Sequence, residues 1–199
     1  GQTMTLDSTL GELGLTQDVT IDGDVNGDNK ADITISGNDA VRIFNITGGT
    51  TDVDLLSLTL RDGNAGTGNG GAISATSGYS SSSGKMFSGI SSLDLRDVSI
   101  MDNIAKSGGG ASVNAKSFTA TDILVTGNSA NSLSGLYITT TSGGSVTLVN
   151  ATIDGNSASV QGGGIAIFGY GSGTVSIVNS TVTNNTAGTI AGGILHAIG

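Results

Sequence analysis

Residues 151–165 read ATIDGNSASVQGGGI, and this phrase decides the fold because variants of it return along the chain. Each variant begins with a short strand of alternating apolar residues. It continues through Asn, any residue and Ala, and it ends in a Gly-rich turn. Internal repetition at this scale is typical of solenoids and related repeat architectures. The five copies begin with LTLRDGNA (58–65), VSIMDNIA (98–105), ILVTGNSA (123–130), ATIDGNSA (151–158) and STVTNNTA (180–187).

The spacing inside each copy is nearly constant, whereas the spacing between copies varies. The last Gly of each turn follows its Asn by seven or eight residues. We infer a fixed Asn-to-Gly corner and connecting loops of variable length. The longest interval contains residues 77–91, which we expect to form a loop that projects from the coil. The repeated asparagines are Asn64, Asn103, Asn128, Asn156 and Asn185, separated by 39, 25, 28 and 29 residues.

A period of 25–29 residues, built from strands of three to five residues, predicts an all-β fold, a right-handed parallel β-helix of about seven coils. The right-handed sense follows from the general handedness of parallel crossovers. Stacked coils lie about 4.8 Å apart, so equivalent residues should form columns. We expect one column from Val98, Ile123, Ala151 and Ser180 and an inward column from Ile100, Val125, Ile153 and Val182. We also expect a ladder of hydrogen-bonded side-chain amides from Asn103, Asn128, Asn156 and Asn185. Gly at the next corner would supply positive φ.

The composition agrees with an ordered protein rich in turns. The chain has 34 Gly and no Pro, and charged residues make up only 12%. Short β-branched runs recur along its length and give it apolar surface to bury. A β-sandwich, with strands every 8–12 residues, is the competing architecture, but the fixed Asn corner favours the solenoid. Helices are disfavoured because no segment has a sustained period of 3.6 residues.

The net charge of −9 comes from 16 acidic and 7 basic residues, and Glu12 is the single Glu. Asp suits turns and cation binding, whereas nucleic acid requires basic patches. We therefore expect no nucleic-acid partner, and no apolar run approaches the ~20 residues that would span a membrane. The absence of Cys agrees with a bacterial exported protein. We expect residues 1–199 to be one segment of a longer protein, with N-terminal coils in 1–54 and the repeats in 55–199.

The repeats resemble those of polymorphic outer-membrane proteins, which carry the tetrapeptides Gly-Gly-Ala-Ile and Phe-x-x-Asn. Residues 70–73 match the first tetrapeptide. In four copies an aliphatic residue replaces Phe three residues before Asn, and the copy ending at Asn64 departs by one extra residue after Leu60. The resemblance covers roughly residues 55–199. It implies a secreted or cell-surface protein that serves as an adhesive or structural scaffold, and a glycan or a host or cell-surface protein as its partner.

The sharpest local motif is acidic and lies near the start of the chain, where residues 22–35 read DGDVNGDNKADITI. Oxygen-bearing side chains fall at positions 1, 3, 5 and 9 of a loop, as Asp24, Asn26, Asp28 and Asp32. The carbonyl of Lys30, at position 7, would add a ligand. Ca²⁺ takes six to eight such oxygens, so we expect a structural calcium ion.

An EF-hand is disfavoured because Ile35 occupies position 12 and the flanking segments are strands. The loop instead resembles the calcium hairpins of integrin-type repeats. Asn29 stands where such hairpins usually have Gly, and Asn tolerates positive φ. A solvent-exposed turn without an ion is the open alternative.

A polysaccharide hydrolase or lyase is the first alternative function, because β-helices can display acids on a strand face. We assign no catalytic residue, because basic partners are few and the chain has no Trp and only three Tyr as sugar platforms. Asp62, Asp102 and Asp154 should align as an acidic stripe. The candidate acids are Asp52 with Asp54, Asp62, Asp94 with Asp97, Asp102 and Asp154.

Ice binding through a flat array of threonines is the second alternative function. Ser99, Thr152 and Thr181 should stack at equivalent positions, but Leu124 interrupts them. Regular Thr-x-Thr rows are missing from the repeats. Ice binding would therefore require more regular rows of threonines than the repeats contain.

Overall fold

The computed structural model describes residues 1–76, 89–169 and 171–198. In these residues the chain forms 22 strands and no helix, so no described segment is a helix able to cross a bilayer. The strands are β1 Gln2–Thr5, β2 Leu13–Leu15, β3 Val19–Asp22, β4 Ile33–Ser36, β5 Phe44–Ile46, β6 Asp52–Leu56, β7 Leu58–Arg61, β8 Ile73–Ala75, β9 Ile90–Arg96, β10 Ser99–Met101, β11 Ile104–Ser107, β12 Ala111–Thr121, β13 Leu124–Thr126, β14 Ser129–Ser132, β15 Leu136–Val149, β16 Thr152–Asp154, β17 Ser157–Ala158, β18 Ile165–Gly169, β19 Thr174–Val178, β20 Thr181–Thr183, β21 Thr186–Ala187 and β22 Ile194–Ile198.

The strands form three sheets, and every pairing between described strands is parallel. Sheet A is β1-β4-β7-β10-β13-β16-β20, and sheet C is β11-β14-β17-β21. Sheet B has two arms. Its first arm runs β2-β5-β8-β12-β15-β18-β22 and its second arm contains β3, β6, β9 and β19, with β12 and β15 belonging to both arms. One circuit of the later turns visits sheet A, sheet C, the first arm and then the second arm.

The chain is a parallel β-solenoid of about six turns, which confirms the predicted fold. The expected number of about seven was too high because two turns are longer than the repeat. Thr3 pairs with Thr34 across 31 residues, and Thr59 pairs with Ser99 across 40. The loop expected at 77–91 falls largely outside the described residues, since 77–88 are not among them and Ile90 already begins β9. The right-handed sense remains a prediction.

Stacked aliphatic columns fill the interior. Ile100, Val125, Ile153 and Val182 are in direct register on sheet A, as the repeat predicts, and the first three are fully buried. Val98, Ile123 and Ala151 form the neighbouring buried column, where Ser180 accepts a hydrogen bond from the Ala151 N–H at 3.1 Å. Burying each large aliphatic side chain contributes about 1.5–3 kcal/mol, so the columns stabilise the stack of turns.

The corner between the second arm of sheet B and sheet A shows why the chain is rich in Asp and Asn. In most turns a single residue with φ between 49° and 55° makes this corner. Asn and Asp tolerate this left-handed region better than most other residues that have a Cβ. Many aspartates of the repeats are therefore explained by the positive φ that the corner requires. The residues at this corner are Ser57, Asp97, Asp122, Asn150 and Asn179.

The four repeat asparagines lie in single file at the corner between sheets A and C. Asn128 Nδ2 donates to Asn156 Oδ1 at 2.9 Å and to the Ile100 carbonyl at 3.0 Å. Its Oδ1 accepts from the Asn103 backbone N–H at 3.0 Å and from Asn103 Nδ2 at 2.9 Å. Asn156 donates to Asn185 Oδ1 in the same way. Asn103, Asn128 and Asn156 are fully buried, so each satisfies the polar groups of its neighbours.

Gly63, and not Asn64, takes the ladder position in the first repeat. Leu60 is in register with Ile100, and three residues later the Gly63 N–H donates to Asn103 Oδ1 at 2.7 Å. Asn64 lies one residue further along, where it pairs with Ile104. The extra residue in this copy therefore moves its Asn out of the ladder.

The constant Asn-to-Gly spacing reflects a contact, and the expected positive φ is confirmed at an earlier Gly of the turn in three copies. A Cβ on Gly135 would lie 2.3 Å from the Gly164 carbonyl oxygen and 3.2 Å from Asn156 Cγ. Gly110 and Gly164 face the ladder asparagines of the next turn, Asn128 and Asn185, in the same manner. The last Gly of the turn is therefore required because the amide ladder and the next turn fill the space of a side chain. Positive φ occurs earlier in the turn, at Gly70, Gly108, Leu133, Gly162 and Ala191.

Candidate metal-binding site

The acidic loop is an insertion at a corner that later turns make with one residue. It leaves β3 after Asp22 and returns to β4 at Ile33. Its base is closed by a hydrogen bond from the Asp32 N–H to the Gly23 carbonyl at 3.1 Å. Asp32 Oδ2 also accepts the Val25 N–H at 3.1 Å. The solenoid does not need these extra residues in order to turn, so their acids are free to serve another purpose.

Three carboxylates of the loop converge. Asp24, Asp28 and Asp32 each offer an oxygen, and these oxygens all lie within 4.8 Å of one another. Asp28 is exposed, and Asp24 and Asp32 are half-buried. Such a cluster could hold a metal ion, with open access from solvent.

Backbone N–H groups hold the first carboxylate in place. Asp24 Oδ1 accepts the N–H groups of Gly27 at 2.7 Å and Asp28 at 3.1 Å, and its Oδ2 accepts that of Asn29 at 2.9 Å. The hydrogen bond from Asn29 is the main cause that lowers the pKa of Asp24 below its ordinary value, against a smaller opposing effect of burial. Asp24 is therefore a carboxylate at neutral pH and is ready to bind a cation.

Asn26 and Lys30 are linked by hydrogen bonds to Asp28, one of the three converging aspartates. Asn26 Oδ1 accepts the Asp28 N–H at 2.9 Å, and Asp28 Oδ1 accepts the Lys30 N–H at 3.1 Å. Asn29 has a φ of 58°, the left-handed conformation expected for its position. The loop is thus a chain of side-chain-to-backbone hydrogen bonds that aims its oxygens at one region.

A shallow groove of about 350 Å³ separates the tip of the loop from the one-residue corner. Lys30 lies on one side, and Asp97, Asp122 and Asn150 lie on the other. Burial, followed by the charge of Asp122, raises the pKa of Asp97 above its ordinary value. The groove therefore carries acidic character next to the loop.

The candidate catalytic acids on sheet B point outward from its second arm. Asp54 is in direct register with Asp94 on the adjacent strand. The Thr20 hydroxyl donates to Asp54 Oδ2 at 3.0 Å, and the Ser92 hydroxyl donates to Asp52 Oδ1 at 2.6 Å. Arg96 pairs with Asp94. Each acid thus already has a partner on a neighbouring strand or within its own strand.

The expected acidic stripe of Asp62, Asp102 and Asp154 does not form. Asp62 and Asp102 both occupy left-handed corner positions, with φ of 54°. Asp154 lies one register position earlier, paired with Thr126 and Thr183 in sheet A. Arg61 and Asp62 form a surface ion pair at 2.8 Å. These acids are therefore structural turn and surface residues in this geometry.

The threonine column on the outer face of sheet A is longer than the repeats predict. Ser99, Thr152 and Thr181 share it with Thr3, Thr34 and Thr59, and Leu124 interrupts it. The next column mixes threonines with other residue types: it runs Thr5, Ser36, Arg61, Met101, Thr126, Asp154 and Thr183. Ice binding stays a prediction, and it is weakened because this second column is irregular.

No protein-family model, curated protein or solved structure matches this chain. The likeness to polymorphic outer-membrane-protein repeats therefore rests on the tetrapeptides alone.

Proposed function

We propose that this chain is a structural scaffold segment of a secreted or cell-surface protein, and that its loop of residues 24–32 binds Ca²⁺ as a structural ion. The observation that carries the proposal is the convergence of Asp24, Asp28 and Asp32 within 4.8 Å on an inserted loop. The repeated turns support the scaffold, and the insertion supports the ion site.

The donor set favours calcium among the common cations. Carboxylate, amide and carbonyl oxygens are hard ligands, and Ca²⁺ accepts six to eight of them in flexible geometry. Asp24, Asp28 and Asp32 would supply the charge, while the Asn26 side-chain oxygen and the Lys30 carbonyl would complete the protein ligands. Mg²⁺ demands stricter octahedral geometry and keeps more water, so a flexible exposed loop suits it less.

The role of the ion follows from the position of the loop. The loop joins β3 of the first turn to β4 of the second turn, and β4 pairs with β1 of the first turn. Three carboxylates so close together repel one another without a cation. Bound Ca²⁺ would remove this repulsion and tie the loop to the corner, which would stabilise the first turn.

The scaffold and adhesion part of the proposal rests on the outer faces. Apolar columns fill the interior, so a partner would contact the outward side chains of sheets A, B and C. The tetrapeptide resemblance adds the expectation of a glycan or a host or cell-surface protein as partner. Polysaccharide cleavage is the alternative, supported by the register pair of Asp54 and Asp94. Release of product from a polysaccharide panel would favour that alternative over adhesion.

Calorimetric titration with CaCl₂ and thermal unfolding with and without chelator test the ion site. We expect one Ca²⁺ per chain, and a stabilisation of about 2.7 kcal/mol when free Ca²⁺ is 100 times its Kd. Asp28→Asn keeps the hydrogen-bond acceptor for the Lys30 N–H but removes a charged ligand, so both effects should be lost. Asp39→Asn is the matched control, because Asp39 is exposed and its φ of 55° suits Asn.

The control should bind Ca²⁺ as the parent does. A parent chain whose unfolding does not respond to Ca²⁺ or chelator would contradict the calcium proposal. Equal binding by the parent and Asp28→Asn would show that any bound ion lies elsewhere.

A further inference from the structure

The chain contains two Asn-Gly dipeptides, Asn26-Gly27 in the acidic loop and Asn69-Gly70 between β7 and β8. The nitrogen of a Gly that follows Asn can attack the side-chain amide carbon, because Gly has no Cβ to hinder the approach and is free to adopt unusual backbone angles. The two dipeptides share this chemistry. The structure around each dipeptide therefore decides how readily it reacts.

In the acidic loop the attacking nitrogen already contacts a base through its proton. The Gly27 N–H donates to Asp24 Oδ1 at 2.7 Å, so this carboxylate lies within hydrogen-bond reach of the proton that it must remove. Gly27 is exposed, and nothing lies within 4 Å of its Cβ position. The nitrogen is therefore both paired with a carboxylate and free of steric hindrance.

The side-chain amide of Asn26 is folded towards the same peptide group. Asn26 Oδ1 accepts the Asp28 N–H at 2.9 Å, and this bond to a residue two positions ahead closes a turn around the Gly27 peptide. The donated N–H also stabilises negative charge on Oδ1 when the amide carbon is attacked. Asn26 is exposed, so water reaches it for the hydrolysis that follows.

The second dipeptide lacks these features. Gly70 is buried, and its N–H donates to the Ser107 carbonyl of the next turn at 2.9 Å. A neutral carbonyl oxygen accepts this hydrogen bond but does not remove the proton as a carboxylate does. Asn69 pairs with Ser107 as a parallel bridge, and Arg42 Nε donates to the Asn69 carbonyl at 3.1 Å. Asn69-Gly70 must therefore leave its contacts with two neighbouring turns before it reacts.

We propose that Asn26 is a self-modifying residue that deamidates with Asp24 as the base. The Gly27 nitrogen bonds to Asn26 Cγ and gives its proton to the Asp24 carboxylate. The bond between Cγ and Nδ2 then breaks, and Nδ2 takes that proton and leaves as ammonia. Water adds to one of the two carbonyl carbons of the resulting cyclic imide and opens the ring, which yields aspartate or isoaspartate. The net reaction consumes water and releases ammonia, with no oxidation or reduction.

The modification alters the loop that we propose to bind Ca²⁺, and this consequence rests on that function. Aspartate at position 26 would add a carboxylate to the three that converge, whereas isoaspartate lengthens the backbone before Asp28 and disturbs the convergence. Bound Ca²⁺ would engage Asp24 and the Asn26 side-chain oxygen. The ion should therefore protect Asn26, because it withdraws the base.

Peptide mapping by mass spectrometry, after incubation of the chain in chelator and isotope-labelled water at neutral pH, tests the proposal. In the folded chain Asn26 should deamidate at least about 10-fold faster than Asn69, because Asn69 must first be released by local opening. In urea the two residues should react at similar rates. Asp24→Asn keeps an acceptor for the Gly27 N–H but does not remove its proton, so Asn26 should react at least about 10-fold more slowly.

Asp39→Asn is the matched control, because it removes one exposed carboxylate outside the loop. This variant should deamidate at Asn26 as the parent does, and a slow rate at Asn69 shows in every variant that the turns remain stacked. An Asn26 that reacts no faster than Asn69 in the folded chain, or that reacts equally fast after Asp24→Asn, would overturn the proposal. In excess CaCl₂, an unprotected Asn26 would contradict the calcium site while the deamidation stands.

Discussion

Two corners of this solenoid use the same residue types, Asp, Asn and Gly, for different purposes. At the ladder corner, three of the four asparagines are fully buried and satisfy one another from turn to turn. In the acidic loop, the oxygens of Asp24, Asp28 and Asp32 converge near the surface and occur in one turn only. Repetition converts polar side chains into mutual partners, whereas a single insertion leaves its oxygens for a partner from outside.

The largest expected effect is the loss of stability caused by Asn128→Ala at the ladder corner. This change removes the acceptor of the Asn103 N–H and Nδ2 and the amide donor to the Ile100 carbonyl, whereas Asn156 Oδ1 keeps the backbone N–H of residue 128. Each unsatisfied buried group costs about 1–3 kcal/mol, so we expect a loss of about 3–5 kcal/mol in the free energy of unfolding by urea.

Asn26→Ala in the acidic loop, measured in chelator, is the matched comparison. Asn26 is exposed and makes one side-chain hydrogen bond, to the Asp28 N–H. We expect a loss of about 1 kcal/mol or less. Equal losses at the two sites would remove the distinction between a structural ladder and a loop open to ligands.

Gly135→Ala tests whether contact with the ladder requires Gly at this corner, and its expected effect is smaller. The new Cβ would meet the Gly164 carbonyl and Asn156, so the turns must shift apart locally. Overpacking of this kind costs about 1–3 kcal/mol, measured as a lower urea midpoint at unchanged m-value. Gly14→Ala is the control, because nothing lies within 4 Å of its Cβ position. A neutral Gly135→Ala would show that the constant spacing does not arise from contact with the ladder.

The smallest effect should come from charge at the one-residue corner. Burial, and then the charge of Asp122, raises the pKa of Asp97. A carboxyl with a raised folded-state pKa favours folding while it is protonated, and that contribution is lost as the pH rises through the folded pKa. At pH 7 Asp97→Asn should therefore increase stability, by about 0.5 kcal/mol at most, because Asp97 is only partly buried and solvent screens the exposed Asp122.

The pH dependence is the check on Asp97→Asn. Its advantage over the parent should vanish near pH 3, where Asp97 is protonated in both the folded and the unfolded state. Asn150 and Asn179 already occupy this corner in later turns, so the backbone tolerates the change. An advantage that persists unchanged at pH 3 would contradict the electrostatic cause.

The sequence predicted the parts of the fold that repeat. The aliphatic column of Ile100, Val125 and Ile153 could be foreseen because each residue recurs at the same distance from its Asn. The position of Gly63 in the ladder could not be foreseen, because Gly63 contributes only the backbone N–H that every ladder residue donates, and this bond leaves no residue-type signal. The number of turns was overestimated because insertions lengthen individual turns without disturbing the register.

The candidate site was predicted in part for the same reason. The placement of Asp24, Asn26, Asp28 and Asp32 at positions 1, 3, 5 and 9 of one tight loop indicated a common centre, and the three aspartates converge. The acids at 62 and 102 were misleading, because catalysis and left-handed corners both select Asp. Only φ and register distinguish the two roles, and neither is visible in composition or spacing.

Hydrogen exchange of side-chain amides, followed by NMR, tests the stacking of equivalent residues most directly. The Nδ2 hydrogens of Asn128 and Asn156 lie inside the ladder, whereas those of Asn26 face solvent. We expect the ladder amides to exchange at least about 100-fold more slowly than that of Asn26, because release requires separation of the turns. Ladder amides that exchange as fast as Asn26 would contradict the stacked solenoid.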